Sequence, residues 1–586
     1  MRGRWKSTFL IGLVVTLGRL PTSAALSDIV HPAFELKVIP MPALYRTTGM
    51  QFLSDGRMVL ATTQLIPPYG DVPAASTAAK LYVVSGLTGN MDNIQVKDIA
   101  NNWMQMTGIT VVNDTIYVSD RDAQYQILDK ENPTDLKANR KKIISWPDEG
   151  TWNRGRFWHQ YLFTPIFYQG YFYAPYSGSI GEAGMSNVPP TSSKSGAFFK
   201  WKVGGALEIV AGGLRSPNGL NISPTGDMMV TDNQGGWLPS STFALMRPGK
   251  FYGCRNTTPN FAESWPYQPP VAWLPHGDIR RSPTQPIYVP TGTYRGDWLM
   301  GDAFHPGLIR VNVDTVKGEY QGGVFWFSRG TGTAAINRLI WGLDGSLYMG
   351  TIENIGSLPI DGPTPMYRLV PKVGVSVFEM KAIRLLTDGF QIEFTEPVDK
   401  ATIGNAAFGL SQWKYVRVEA YGEGRTNDPV GSIAVTGTEV SEDGKRVHVK
   451  VNKLTTDRVV YFKLTGIKSA SGKAPLDNES WYTLNLASDK VWNPAVRILD
   501  RSQTRSGSRL LGAIRSSITV AGQLDVEVNL SGAYTLSLQT LKGIETATIS
   551  GNGPGHHLLS PYDFHPGVHL LVLRQREDIL TQKVLF

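Results

Sequence analysis

Residues 212–253 read GGLRSPNGLNISPTGDMMVTDNQGGWLPSSTFALMRPGKFYG. Two short apolar runs, Leu220-Asn221-Ile222 and Met228-Met229-Val230-Thr231, flank the turn Pro224-Thr225-Gly226-Asp227. Alternating apolar residues around a Gly/Asp turn predict a β-hairpin with one buried face. The preceding Leu214-Arg215-Ser216-Pro217-Asn218-Gly219 reads as a Pro/Gly loop that leaves Arg215 and Asn218 available to a ligand. A second polar turn, Asp232-Asn233-Gln234-Gly235-Gly236, follows the hairpin.

The same unit recurs in both directions. It appears at Phe52–Leu60, Val112–Val118, Tyr168–Tyr173, Ser223–Val230, Tyr294–Met300 and Leu343–Met349. The interval is irregular, about 50 to 70 residues, which is the period of propeller blades carrying loop insertions. Six units predict a six-bladed β-propeller over about residues 33–372. Phe34–Val38 is expected to close the ring beside Met366–Val370 and so remove two exposed sheet edges.

After Lys372 aromatic density falls and plainly alternating strands begin. Gly389–Asp399, Ser441–Val449 and Val459–Ile467 read as an antiparallel sandwich, placed at residues 373–487. Residues 491–586 read as a further small β-sandwich. The expected class is therefore all-β, in keeping with 586 residues that exceed one core and with 61 Gly, 37 Pro, 15 Trp and 23 Tyr.

The N-terminus is basic through Lys6, apolar from Phe9 to Leu17, and small-residue rich at Thr22–Ala25. That order predicts a signal peptide over residues 1–25, an N-terminal membrane anchor being the alternative. Cys254 is the one cysteine, which excludes an intrachain disulfide, a C-x-x-C-H haem attachment and a cysteine zinc cluster. Export without disulfides points to a bacterial envelope or secreted protein. A net charge of +8, with no basic stripe interleaved with aromatics, argues against nucleic acid as a partner.

Among nine histidines, His31, His159, His276 and His305 fall in the propeller region. His159 stands immediately before a blade hairpin, where an imidazole suits proton abstraction from a hydroxyl, or else packs in an aromatic cluster. His276 beside Asp278, and His305 near Asp302, are weaker candidates for a divalent metal. No G-x-S-x-G elbow, Walker loop or dinucleotide fingerprint is present.

His159-Gln160, Gly213–Leu220, Arg247–Gly253 and Ile336–Tyr348 occur in the order seen in soluble quinoprotein glucose dehydrogenases, and residues 47–370 resemble the wider glucose/sorbosone dehydrogenase-like propellers. The resemblance implies oxidation of a sugar hydroxyl by hydride transfer to pyrroloquinoline quinone. His159 would be the base, Arg215, Asn218 and Arg338 would line the cofactor, and an external electron acceptor would be needed. It also implies calcium. Trp158 replaces the family's aspartate before the histidine, and Trp237–Phe243 lacks the acidic residues that ligate calcium there, leaving Asp232, Asn233, Gln234 and carbonyls.

The 373–487 segment resembles bacterial Ig-like modules, which implies a spacer. The chain end, His565–Arg574 and Gln582–Phe586, resembles the sorting domain of type IX secretion, which implies a secretion machinery as partner. The competing class is polysaccharide binding or surface adhesion without turnover, with Trp152, Trp158, Trp237, Trp265, Trp273 and Tyr294 stacking on sugar rings or, alternatively, packing between blades.

Overall fold

A computed structural model describes residues 30–63, 79–87, 91–103, 105–120, 122–146, 162–178, 194–255, 261, 264–279, 282–330, 334–342, 344–352, 363–420, 431–495, 514–518, 524–540, 545–559, 568–575 and 578–585. The expected signal peptide lies outside them.

The chain is built from strands. Four-stranded antiparallel sheets follow one another from Thr47 to Trp103, Met106 to Ser145, Ile166 to Gly212 and Pro217 to Leu274. A fifth begins with the four strands from Ile287 to Ser328. The sixth takes three strands from Ala335 to Pro371 and a fourth from the N-terminus, Phe34–Val38, paired antiparallel with Tyr367–Pro371. The N-terminal strand is therefore paired where it was expected, beside the last strand of the sixth sheet. Adjoining sheets meet along their first strands, in the order Ala335–Trp341, Thr47–Phe52, Met106–Val112, Ile166–Tyr168, Pro217–Ile222 and Ile287–Tyr288.

The recurring sequence unit has one physical cause. At Leu53–Arg57, Ser223–Asp227 and Gly342–Ser346 the first residue donates to the carbonyl of the last, and the glycine amide donates back to the first residue's carbonyl. Gly56, Gly226 and Gly345 take φ of 85°, 91° and 72° to close this three-residue hairpin. Asn113-Asp114 and Gln169-Gly170 have positive φ at both positions, the two-residue alternative.

A second repeat lies at the start of the first strands. The register slips between Thr47 and Gly49, Met106 and Gly108, Pro217 and Gly219, and Ile336 and Arg338. Each slip extrudes one polar residue: Thr48, Thr107, Asn218 or Asn337. The next residue is glycine in three of these strands because a Cβ would collide with Ile109 of the second sheet, or with Thr164 or Gln285 just ahead of the third and fifth. In the sixth sheet that residue is Arg338.

The segment expected to be a spacer is fused to the fifth sheet. Glu319–Ser328 pairs antiparallel with Glu479–Leu484, giving one eight-stranded sheet continued by Arg458–Leu464, Phe408–Trp413 and Gly431–Ile433. A second sheet, ordered Met380–Leu385, Gly389–Phe394, Arg446–Val451, Val435–Val440, faces it. The shared strand serves both sides: Phe325 joins the core of the later strands, while Val324 and Trp326 pack with Trp413, Val459 and Trp481. A spacer would show neither feature. Arg446 also donates to the carbonyls of Asn493, Pro494 and Ala495, so the chain stays on this unit beyond residue 487.

The last described strands form a three-stranded sheet, Ile514–Ile518, Leu524–Val528, Gly555–Leu559, and a four-stranded sheet ordered Glu545–Asn552, Ala533–Thr540, Val568–Gln575, Asp578–Leu585. Leu524, Val526, Leu536, Leu538, Leu571 and Leu573 are buried together between them.

Candidate functional site

The extruded residues of the first strands converge, and Arg338 ties them together. Its Nε donates to Thr48 O at 2.7 Å. Its Nη1 reaches Asn337 O at 2.9 Å, Asn337 Oδ1 at 3.0 Å, and both the carbonyl and Oδ1 of Asn218 at 3.2 Å. Asn218 Nδ2 donates to Asn337 Oδ1 at 3.3 Å, and Asn337 Nδ2 to Thr47 O at 2.7 Å. Thr164 Oγ1 completes the group by approaching the carbonyls of Thr48 and Thr107. Residues from the first, second, fourth and sixth sheets thus meet at one polar hub where bulges free side chains and carbonyls from the ladders.

Arg338 is 2% exposed, and all its partners are neutral oxygens. Burial alone pushes its guanidinium down to about 9, with no carboxylate acting on it. Nη2 makes no hydrogen bond to a described residue. A desolvated cation held by dipoles alone gains most from an anion brought to it.

Arg215 is nearby in sequence but differently held. It is 8% exposed, and its guanidinium lies flat on Gly235, where an added Cβ would collide with Nε, Cζ and Nη2. The Arg215-Ser216 backbone is clamped by Asp232, whose Oδ2 accepts from Arg215 N at 2.8 Å and Oδ1 from Ser216 N at 2.7 Å. Burial raises the Asp232 carboxyl to about 6 against the pull of these amides. The expected open loop is therefore absent: Pro217 already begins a strand, and Arg215 and Asn218 are packed and hydrogen-bonded.

The metal candidates are dispersed. Asp232 commits both oxygens to backbone amides, and Asp302 does the same, accepting from Ser282, Phe304 and His305 amides. Asn233 donates its amide to Ser216 O, and the His276 amide donates to Ser240 Oγ. Among the described residues no three His, Cys, Asp or Glu side chains gather as a metal site. Among the described residues these candidates do not fit calcium, since such a cation needs six to eight free oxygens.

His159, with Trp152 and Trp158, lies outside the described residues. Of the other aromatic candidates, Trp273 is buried against Tyr415 at 4.9 Å between ring centroids, and Tyr294 is buried beside His31 and Phe327. Those two are packing residues. Trp265 stacks on Phe261, and Trp237 is half-buried under Arg255. His31 is no base candidate, for its Nε2 faces Glu379 Oε1 at 3.2 Å inside the protein.

Thr48, Thr107 and Asn337 escaped the sequence reading. Their signal was the polar residue before the glycine or arginine, Thr-Gly, Thr-Gly, Asn-Gly and Asn-Arg, repeated ahead of each apolar run.

No protein-family model and no curated protein sequence matches the chain. Solved structures similar to it include a glucose dehydrogenase described as a putative oxidoreductase from Thermus thermophilus, 14% identical with a TM-score of 0.41, covering 57% of this chain and 100% of that one. The quinone-bound aldose sugar dehydrogenase of Streptomyces coelicolor is 14% identical with a TM-score of 0.40, over 58% and 99% of the two chains. The quinone-binding domain of the pyranose dehydrogenase of Coprinopsis cinerea is 11% identical with a TM-score of 0.37, over 58% and 98%.

Proposed function

We propose that the six sheets are the blades of a closed six-bladed propeller and that the protein is a sugar oxidoreductase working with pyrroloquinoline quinone. The observation that carries this reading is the uncompensated guanidinium of Arg338 at the hub. An anionic, oxygen-rich planar quinone answers the chemistry of that donor, and Asn218 and Asn337 offer amides at the same place. A bound quinone would supply the hydride acceptor. The chain's part is to hold the anion through Arg338, to present Arg215 and Asn218 to it, and to take the sugar hydroxyl proton at the His159 imidazole. An external electron acceptor would be needed to reoxidise the quinone. Calcium has no part in this scheme.

We propose further that the protein is exported through an N-terminal signal over residues 1–25 and carries an Ig-like middle unit over 373–487 and a C-terminal sorting-type domain over 491–586, outside the cell or on a Gram-negative surface.

The test is a calorimetric titration of the mature chain with pyrroloquinoline quinone, followed by dye reduction against a panel of aldoses. Saturable micromolar binding that is lost in Arg338→Met, with turnover lost in His159→Ala, is expected. Absence of quinone binding by the wild type overturns the reading and directs the search to glycan binding.

A further inference from the structure

The fused sandwich does more than extend a sheet. After the strand Phe408–Trp413, residues 414–420 turn back onto the fourth sheet, where Tyr415 packs on Trp273, and touch it at two further places. Val418 O accepts the amide of Trp237 at 2.7 Å. The Arg417 guanidinium lies 3.5 Å from the centroid of the Tyr267 ring.

Both contacts lead to Arg215. Trp237 occupies a tight turn closed by reciprocal hydrogen bonds between Gly235 and Leu238, and it does so with φ of 64°, a conformation such turns normally give to glycine. A tryptophan is kept there by an outside acceptor, and Val418 is that acceptor. Gly235, at the base of the turn, is the seat of the Arg215 guanidinium. On the other side, Tyr267 is bridged to Phe251, whose ring fills the space above Gly213, two residues before Arg215. Cys254 Sγ approaches Gly236 O at 3.8 Å between the two lines.

We infer that the 414–420 loop of the sandwich is a positioning element for Arg215, so that the appended unit forms part of the ligand site of the propeller. The importance of Arg215 rests on the function proposed above; its placement by the loop does not. Without the loop the 235–238 turn is free to relax, and the seat of the guanidinium moves with it.

The test is arginine-specific labelling of the full chain with phenylglyoxal, read peptide by peptide by mass spectrometry. Replacing Tyr415–Glu419 by Gly-Ser-Gly is expected to raise the Arg215 labelling rate about tenfold, because labelling tracks local opening. Gly235→Ala, which unseats the guanidinium directly, sets the scale. Arg310, buried against Asp297 at 2.5 Å, serves as the reporter of global unfolding and is expected to stay protected. If the replacement also exposes Arg310, the double variant Arg417→Ala, Val418→Gly is judged by the same ratio. An Arg215 rate unchanged in a folded loop variant, while Gly235→Ala raises it, overturns the inference. Should quinone affinity prove equal in wild type and Arg215→Ala while the labelling ratios hold, the ligand role of Arg215 falls and its positioning by the loop stands.

Discussion

The guanidinium of Arg338 crosses from the sixth sheet to Asn218 of the fourth, where Nη1 meets both Oδ1 and the backbone carbonyl at 3.2 Å. In three other sheets the equivalent residue is glycine, pressed against the neighbouring strand. The arginine therefore exchanges a close strand contact for a charge at the hub. A buried charge without a counter-charge lowers stability unless every donor is met, and here the oxygens of Thr48, Asn218 and Asn337 meet them only in part.

Arg338→Met keeps the volume and removes the charge. The desolvation cost disappears, but several buried oxygens lose their donor, and the second effect is the larger because each stranded group costs about 1–3 kcal/mol. Urea unfolding should show a net loss of about 1–3 kcal/mol, with quinone affinity down at least tenfold in calorimetry. A variant equal to wild type in both would remove the hub from the proposed site.

Asp232→Ala strips the clamp from Arg215 N and Ser216 N, both buried. Two unpaired buried amides predict a loss of about 2–4 kcal/mol. Hydrogen exchange at Arg215 and Ser216 should accelerate far more than at Val230 in the adjoining strand. Uniform acceleration would mean that Asp232 stabilises the sheet as a whole and does not hold the arginine loop.

The parts of this architecture that could be read from sequence are those set by neighbours in the chain. The L-S-D-G-R, S-P-T-G-D and G-L-D-G-S turns announce themselves because a five-residue segment contains both hydrogen-bonding ends and the glycine that closes them. For Phe34–Val38, the need to cover an exposed sheet edge supplied the partner. Arg338 was legible as a charged residue ahead of an apolar run, but its partners Thr48 and Asn218 lie 290 and 120 positions away. Only the bulges bring them together. The open-loop reading of Arg215 failed for a similar reason, since Gly235, which receives the side chain, looked like a turn residue and nothing more. Nor did composition distinguish a spacer from a fused unit, because Val324 and Trp481 alternate alike whether or not their strands pair.

That fusion predicts that the fifth sheet and the sandwich unfold as one cooperative body. Trp481 is 2% exposed and packs with Val324 and Trp326 across the pairing of Glu319–Ser328 with Glu479–Leu484. Trp481→Ala should cost about 3–5 kcal/mol, as deletion of a buried indole usually does. Calorimetry should show that loss in a transition common to sheet and sandwich. A shift of one peak, with a second peak left in place, would show that the two units unfold separately.

The last expectation concerns protons. Asp120, buried at the end of Thr115–Asp120, has its carboxyl raised by burial and then by the neighbouring Asp122 carboxylate. Burial also pushes Asp122 up, but hydrogen bonds from the Asp120 carboxyl and from Lys142 outweigh it and hold that group low. The folded pair thus keeps one proton at pH values where both carboxyls of the unfolded chain have lost theirs. Between the ordinary aspartate range near pH 4 and about pH 8 the native state binds more protons than the unfolded state, so stability falls as pH rises through that window. Arg140, stacked on Trp103 and Tyr125 with its Nη1 4.0 Å from Asp120 Oδ2, softens the fall without reversing it. Asp120→Asn carries a permanent donor in place of the shared proton. Its melting temperature should therefore decline less between pH 5 and pH 8 than that of the wild type. Parallel curves for the two proteins would show that the pair does not hold its proton in the folded state.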